Sequence, residues 1–338
     1  MPVPNQMLRA DTNHPHAIFL MGPTASGKSG VALEVARHLP VEIVSVDSAQ
    51  VYRHMDIGTA KPSTETLAAV PHHLIDLIEP YERYSAGQFR DDALLAMREI
   101  TERGNIPLLV GGTMLYFRAL MHGLSELPTA DNKLRMTISS MAEDLGWPAM
   151  HLQLQQIDPV SATRIKSTDS QRIQRALEVC YLADKPMSEI LTKPRSVDLL
   201  YQIIHIALIP SEREMLHQRI SHRFDEMLSL GLIDEVRSLL DKFKLDADTP
   251  AMRCVGYRQV RMYLNNEVSR NEMRSMGMAA TRQLAKRQLT WLRPMQGLRE
   301  FDCLSQDLAQ QVSIYLQAII SDGVANSRSR QLPDPYLN

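Results

Sequence analysis

Cysteine is scarce and scattered. The 338-residue chain has three, Cys180, Cys254 and Cys303. They are odd in number, far apart and without a Cys-x-x-Cys pair. That excludes a disulfide framework and a cysteine-based zinc site, and suits a reduced, cytoplasmic protein. Long apolar runs are missing as well. Nothing approaches the roughly 20 residues of a membrane span, and residues 1–15 are polar and proline-bearing, with no apolar run of a secretion signal. No membrane partner is expected. The formal charge of −2 rules out a polycation, so nucleic acid could be held only by local basic patches. Repeats and low-complexity tracts are absent, and nothing calls for an obligate oligomer; a monomer is expected. What is present, 44% hydrophobic and 22% charged residues, is ordinary for a globular chain long enough for two domains.

The first feature with chemistry is the octet Gly22-Pro23-Thr24-Ala25-Ser26-Gly27-Lys28-Ser29, which fits G-x-x-x-x-G-K-[ST]. It lies between the apolar run 16–21 and a helical pattern over 29–39, the context this phosphate loop requires rather than a chance glycine turn. Its glycines let backbone N–H groups converge on phosphate oxygens, and the following helix adds positive dipole. Lys28 supplies a mobile cation, and the Ser29 hydroxyl is placed to ligate Mg2+. By motif alone the loop is nucleotide-binding, most often for ATP; it fixes a ligand class, not a reaction.

Further strand candidates are 41–46, 72–78 and 106–110, with a helix over about 85–103. Strands alternating with helices argue for an α/β domain built on a parallel sheet. From about 125 the chain turns helical, polar and Gln/Arg-rich until a last strand candidate at 200–209. The expected organisation is a flexible tail 1–15, a core of 16–124 plus 200–315, a helical insertion 125–199 and a disordered tail 322–338. After Pro210, Ser211 and Glu214 read as a capping box opening a helix with the apolar stripe Leu216, Ile220, Phe224, Met227 and Leu228.

Strand ends of an open parallel sheet face its ligand crevice. The phosphate loop follows the first strand, Asp47 the second, and Gly111-Gly112-Thr113 the fourth. A carboxylate there can take a proton or hold Mg2+ through water, although Asp47 could instead cap a following helix. Thr113 could donate to a ligand oxygen, or cap helix 114–121. His72-His73 near Asp76 read as structural, because neighbouring strand residues face opposite ways.

Several segments then occur in a telling order: the phosphate loop, Ser-Val-Asp-Ser-Ala-Gln-Val-Tyr (45–52), Met-Asp-Ile-Gly-Thr-Ala-Lys-Pro (55–62), Leu-Val-Gly-Gly-Thr-Met-Leu-Tyr (109–116), Arg-Cys-Val-Gly-Tyr-Arg-Gln-Val (253–260) and Thr-Arg-Gln-Leu-Ala-Lys-Arg-Gln-Leu-Thr-Trp-Leu-Arg (281–293). From about 16 to 300 the chain resembles the bacterial tRNA dimethylallyltransferases, the IPP transferase family. The resemblance implies a P-loop NTPase-like sheet flanked by helices, with a helical insertion domain that contacts tRNA. It implies transfer of a dimethylallyl group from dimethylallyl diphosphate to the N6 amine of the adenine 3′ of the anticodon, with Mg2+ assisting and diphosphate leaving. Residues 22–29 would then grip a prenyl diphosphate, Asp47 would be the general base, and Thr113 would bond the diphosphate bridge. An arginine of the helix after Pro210 would hold the same diphosphate: Arg219 is the first choice and Arg223, four residues on, the second.

The same resemblance implies contacts to the tRNA anticodon stem-loop. Asp47, Ser48, Ala49 and Gln50, with Thr113, would meet the target base. Gln171, Arg172, Ile173, Gln174 and Arg175 of the insertion would contact the stem-loop, the two arginines free on the face opposite Ile173, Ala176, Leu177 and Cys180. So would Arg253, Cys254, Val255, Gly256, Tyr257 and Arg258, and, in a basic helix, Lys286, Arg287, Gln288, Leu289, Thr290, Trp291, Leu292 and Arg293. Arg135 falls at another tRNA contact. Charge supports this independently: between 253 and 293 nine Arg and Lys face two Glu, an excess of seven in a chain of net −2. A small-molecule kinase using ATP is the alternative; it would account for Lys28, Ser29 and Asp47 but not for the basic helix or Gly111-Gly112-Thr113.

Overall fold

The structure, a computed structural model, describes residues 14–191 and 199–328. The described residues fall into two compact units, bounded by Met1–Leu120 with Leu199–Asn338 and by Met121–Asp198. The first contains β1 (His16–Met21), α1 (Lys28–His38), β2 (Val41–Val46), α2 (Thr64–Ala69), β3 (His72–His73), α3 (Ala86–Glu102), β4 (Ile106–Gly111) and α4 (Met114–His122), whose last turn passes into the second unit. The second unit consists of helices: α5 (Asn132–Leu145), α6 (Trp147–Ile157), α7 (Pro159–Arg164), α8 (Ser170–Ala183) and α9 (Met187–Ile190). The first unit then resumes with β5 (Gln202–Ile209), α10 (Arg213–Ser229), α11 (Leu232–Lys242), a 3-10 turn at Pro250–Arg253, α12 (Tyr257–Leu264), α13 (Arg270–Leu292), β6 (Arg299–Asp302) and α14 (Leu308–Arg328).

All six strands are parallel, in the order β3-β2-β4-β1-β5-β6. Helices cover the sheet, so its central strands are continuous apolar runs rather than alternating ones. Every residue of β2 and all but the first of β1 are buried. One charged group sits inside: Glu42 of β2. Arg103 and Asn105 bond its carboxylate, as does His73. The Arg103 hydrogen bond is the main cause of its low pKa, about 2. His73 is thus held in the fold, while His72 Nδ1 pairs with the Val70 carbonyl and His72 lines the strand-end cavity.

Three local expectations are revised. The strand expected over 72–78 keeps only His72–His73, after which Leu74 and Asp76 take positive φ and break the pairing. The Ser211/Glu214 box does not form: Glu212 is the N-cap, no side chain caps the helix, and Ser211 N–H donates to Asp302 instead. The disordered tail expected from 322 is in part helical, since α14 continues through Arg328; residues 329–338, and residues 1–13 of the other tail, lie outside the described part.

A second apolar cluster positions the rest of the first unit. Val51, Tyr52 and Met55 pack with Phe224 of α10, Leu232 and Val236 of α11, Tyr257 of α12 and Met273 of α13. The α10–α13 crossing depends on Gly277, where a methyl would sit 2.1 Å from the Phe224 ring. Any larger residue there would have to displace the Phe224 ring or part α10 from α13.

Candidate active site

Register brings three loops to one level. Met21 of β1 and Val46 of β2 both pair with Gly111 of β4, so the segments that follow leave the sheet side by side. They line one cavity of about 860 Å3, together with parts of α4, α10, α12 and α13. All of its lining belongs to the first unit.

Residues 24–29 line this cavity. The opening turn of α1 follows directly, and its first N–H groups have no intrahelical acceptor. Ser26 is fully buried, and its hydroxyl has no protein partner. Lys28 Nζ donates to the carbonyls of Gly22 (3.0 Å) and Pro23 (2.6 Å). Burial, then the nearby Arg223, lower its pKa from 10.5 to about 8, although Asp47 pulls the other way. The loop thus offers amides, an unpaired hydroxyl and a desolvated cation, a donor set suited to an oxyanion.

Asp47 lies at the end of β2. Its Oδ1 accepts from Ala49 N–H at 2.8 Å, a local turn, and no helix follows for it to cap. Thr113 opens α4 through its carbonyl, which accepts from Tyr116 N–H at 2.9 Å, but its side chain and N–H are tied to the Asp47 loop. Its Oγ1 accepts from Ser48 N–H at 3.0 Å, and its N–H donates to the Val46 carbonyl at 3.2 Å. Asp47 and Thr113 are therefore parts of one hydrogen-bonded rim.

The two candidate arginines are placed differently. Arg219 is exposed, outside the cavity lining, and its guanidinium donates to the Cys303 carbonyl at 2.7 Å. That acceptor lies just past β6, a strand that short apolar patterning did not reveal. Of the two, only Arg223 lines the cavity. Burial lowers its pKa, with Asp47 opposing that shift.

The cavity also has an apolar wall formed by Cys254, expected as a tRNA contact, and by Tyr52, Tyr116 and Phe224, which motif reading did not place at the site. Tyr116 is stacked on Phe89 with ring centroids 4.2 Å apart. Burial, reinforced by Asp47, pushes the Cys254 thiol up to about 12, so it stays neutral. Tyr52 and Tyr116 each close a quoted motif, which was the available signal. Glu235 was also unforeseen. Its carboxylate accepts from the N–H groups of Asp56, Ile57 and Gly58 and from the Tyr257 hydroxyl, shaping the loop that supplies Gly58, Thr59 and Ala60 to the cavity.

The residues expected to meet RNA divide into outward and inward groups. Arg253, Arg258, Lys286, Arg287, Thr290, Trp291 and Arg293 are exposed, and Arg253, Arg287 and Trp291 also line the cavity. The Arg118 guanidinium lies 5.8 Å from the centre of the Trp291 ring, within range of a cation–π contact. Ser48 is exposed and Ala49, Gln50, Cys254 and Val255 half-buried; all five line the cavity. Gly256, Tyr257, Gln288 and Leu292 are buried and Leu289 packs on Leu216 and Ile220, because a contiguous helical stretch necessarily presents some residues to the core. In the second unit Ile173 is buried, and Gln174 donates to the Arg135 carbonyl and the Ser139 hydroxyl. Gln171 and Arg172 are exposed. Arg175 and Arg135 are half-buried, and both guanidiniums bond the fully buried carboxylate of Glu178, which needs them as counter-charges.

Similarity to known proteins gives the family. The IPP transferase family profile matches residues 50–295, and an isopentenyl transferase profile matches 15–76. A tRNA dimethylallyltransferase of Nitrosospira multiformis is 65% identical over 303 residues, covering 90% of this chain and 94% of that one. Among solved structures, a full-length tRNA isopentenylpyrophosphate transferase of Bacillus halodurans is 34% identical with a TM-score of 0.67, over 93% of this chain and 99% of that chain. A eukaryotic dimethylallyltransferase acting on tRNA is 26% identical with a TM-score of 0.73, over 95% and 81%. With a P-loop-like parallel sheet, a strand-end cavity lined by a desolvated lysine and arginine beside a carboxylate, and relatives matched along nearly their whole length, this chain belongs to the IPP transferase family.

Proposed function

We propose that the chain transfers a dimethylallyl group from dimethylallyl diphosphate to the N6 amine of the adenine 3′ of the tRNA anticodon. The observation that carries the reading is the convergence of Lys28, Arg223, Asp47 and Thr113 on one cavity with an aromatic wall. The diphosphate would lie against residues 22–29. Its C1–O bond breaks, the electron pair leaves with the diphosphate, and the adenine N6–C1 bond forms. Asp47 takes the proton released from N6. Lys28, Arg223 and the loop amides neutralise charge as it develops, where preorganised donors act most strongly. Thr113 donates to the departing oxygen while its own position is held through Ser48.

Mg2+ fits this donor set as an ion carried by the diphosphate. Among the described residues no group of three His, Cys, Asp or Glu could cage a metal, and Ser29 offers one hydroxyl beside Lys28. Mg2+ commonly takes few protein ligands and completes its shell with substrate oxygens and water. When bound it would supply charge neutralisation to the leaving group.

The adenine must leave its stack to reach Asp47, and the anticodon stem-loop would be held by positive side chains. On the first unit these are Arg253, Arg258, Lys286, Arg287 and Arg293, with Trp291 as a stacking surface; on the second, Arg172 with Gln171. No helix among the described residues is long and apolar enough to cross a membrane; we infer a cytoplasmic enzyme, because its substrate would be tRNA, acting as a monomer.

The test is to incubate the protein with Mg2+, labelled dimethylallyl diphosphate and unmodified tRNA, and to map label in the RNA. Label on the adenine next to the anticodon supports the reading. Label nowhere in RNA, with transfer from labelled ATP to a small acceptor instead, refutes it.

A further inference from the structure

We propose that Gln288 is a positioning residue for the diphosphate site, holding the phosphate loop and the Thr113 turn in register through its single carboxamide. Motif reading put Gln288 on the RNA-facing stretch, but its side chain points inward and the residue is 9% exposed. Its Oε1 accepts from Thr24 N–H at 2.8 Å, and its Nε2 donates to the Gly112 carbonyl at 3.0 Å. One planar group thus joins α13 to the two loops that supply the candidate diphosphate donors.

Two details make this a built contact. Each end of the amide meets a partner of the right polarity, which fixes its orientation. Gly112 also has no room for a side chain: a methyl there would fall 2.2 Å from Gln288 Nε2. The carboxamide occupies the space that a Cβ at 112 would fill, so the double glycine before Thr113 and Gln288 belong to the same device. Gln288 itself touches no proposed substrate atom. It acts through the loop backbone on one side and through Thr113 on the other.

The inference rests on the reading of residues 22–29 as a diphosphate site, and the experiment separates the two. Inorganic diphosphate with Mg2+ is titrated calorimetrically into the full chain, its Gln288→Met variant and its Gln288→Glu variant, and tRNA binding is measured alongside. Methionine keeps the volume but leaves the Thr24 N–H and the Gly112 carbonyl unpaired, so diphosphate affinity should fall by at least about tenfold, the low end of the effect of stranded buried groups, while tRNA affinity changes less than about twofold. Glutamate should be worse at pH 8, where its carboxylate faces a carbonyl and an incoming anion. Its deficit relative to the parent should shrink as pH falls, because a protonated carboxyl again has one donor and one acceptor. Equal diphosphate affinity in all three proteins overturns the proposal. So does a glutamate deficit independent of pH, or a parallel loss of tRNA affinity. If the parent chain fails to bind diphosphate at all, the reading of the loop falls first and this proposal with it.

Discussion

Lys28 makes donor affinity depend on pH in a way that can be worked out beforehand. Its pKa is lowered from 10.5 to about 8, chiefly by burial and next by Arg223. A diphosphate prefers the ammonium form, so a chain with neutral Lys28 must first take up a proton to bind. Below pH 8 this costs little. Above it the apparent Kd for dimethylallyl diphosphate should rise about tenfold per pH unit, roughly 1.4 kcal/mol each, until the intrinsic affinity of the neutral form is reached. The assay is calorimetric titration from pH 6.5 to 9.5 beside Lys28→Arg, which stays charged throughout and removes the ligand's own titration by comparison. The ratio of the two Kd values should be flat below pH 8 and bend upward above it. The stability sign is opposite. Lysine's folded-state pKa lies below its unfolded value, so the unfolded chain holds more protons between about 8 and 10.5, and the parent should gain stability over that window relative to Lys28→Met. A flat Kd ratio to pH 9.5 would refute a desolvated, diphosphate-gripping Lys28.

Other residues give sharper yes-or-no outcomes. Asp47→Asn should cut single-turnover transfer by about 10²–10⁴, the range for a lost general base, with donor affinity little changed; near-normal turnover removes Asp47 from that role. Arg223→Met should lower kcat by about 10²–10³, as for loss of one preorganised donor, whereas Arg219→Met should cost less than about 1.5 kcal/mol of stability, as for one hydrogen bond, and little activity; the reverse ranking would restore Arg219. Glu178→Gln should destabilise the second unit by about 3 kcal/mol, since two guanidiniums lose their buried counter-charge; unchanged thermal unfolding by circular dichroism counts against that cluster. In the parent, burial raises the Glu178 pKa but the Arg135 and Arg175 bonds more than offset it and hold it below 4.5. Its contribution is therefore present above that value and lost as the pH falls through the lowered one.

Much of the site was legible because its chemistry is local. A phosphate loop needs consecutive residues, and strand ends carry Asp47 and Thr113 within a few residues of apolar runs that periodicity finds. The IPP transferase motifs extended that to the reaction. What escaped depends on distant pairs. Periodicity places Arg219 and Arg223 on one helical face; only the carbonyl past β6, some eighty residues on, draws Arg219 away. The apolar face of α8 was readable, and Ile173, Ala176, Leu177 and Cys180 are indeed buried. Glu178, an acid one position past Leu177, was not recognisable as buried, and it is what captures Arg135 and Arg175. Glu235 and Gln288 are equally silent in sequence, because the loop backbone groups they bond lie 176 or more residues away.

These distant pairs also say how the chain can evolve. α13 buries Met273, Gly277, Ala285, Gln288 and Leu292 without forming a single apolar stripe, because it is used on several sides at once. Gly277 admits Phe224 and so seats α10 with Arg223; Ala285 closes the seam with Leu216 and Ile220; Gln288 holds two loops; Arg287 and Trp291 are exposed where they line the cavity, and of the residues expected to meet RNA there only Lys286, Thr290 and, just past the helix, Arg293 face wholly outward. Substitutions on the outward positions change only surface charge and polarity, so they should alter tRNA affinity and its salt dependence while leaving the diphosphate site as it is. Substitutions one or two residues away, at 285 or 288, displace backbone that the reacting groups stand on. Neighbouring positions on one helix are thus under different physical constraints, and a block of consecutive residues is the wrong unit in which to assign their function.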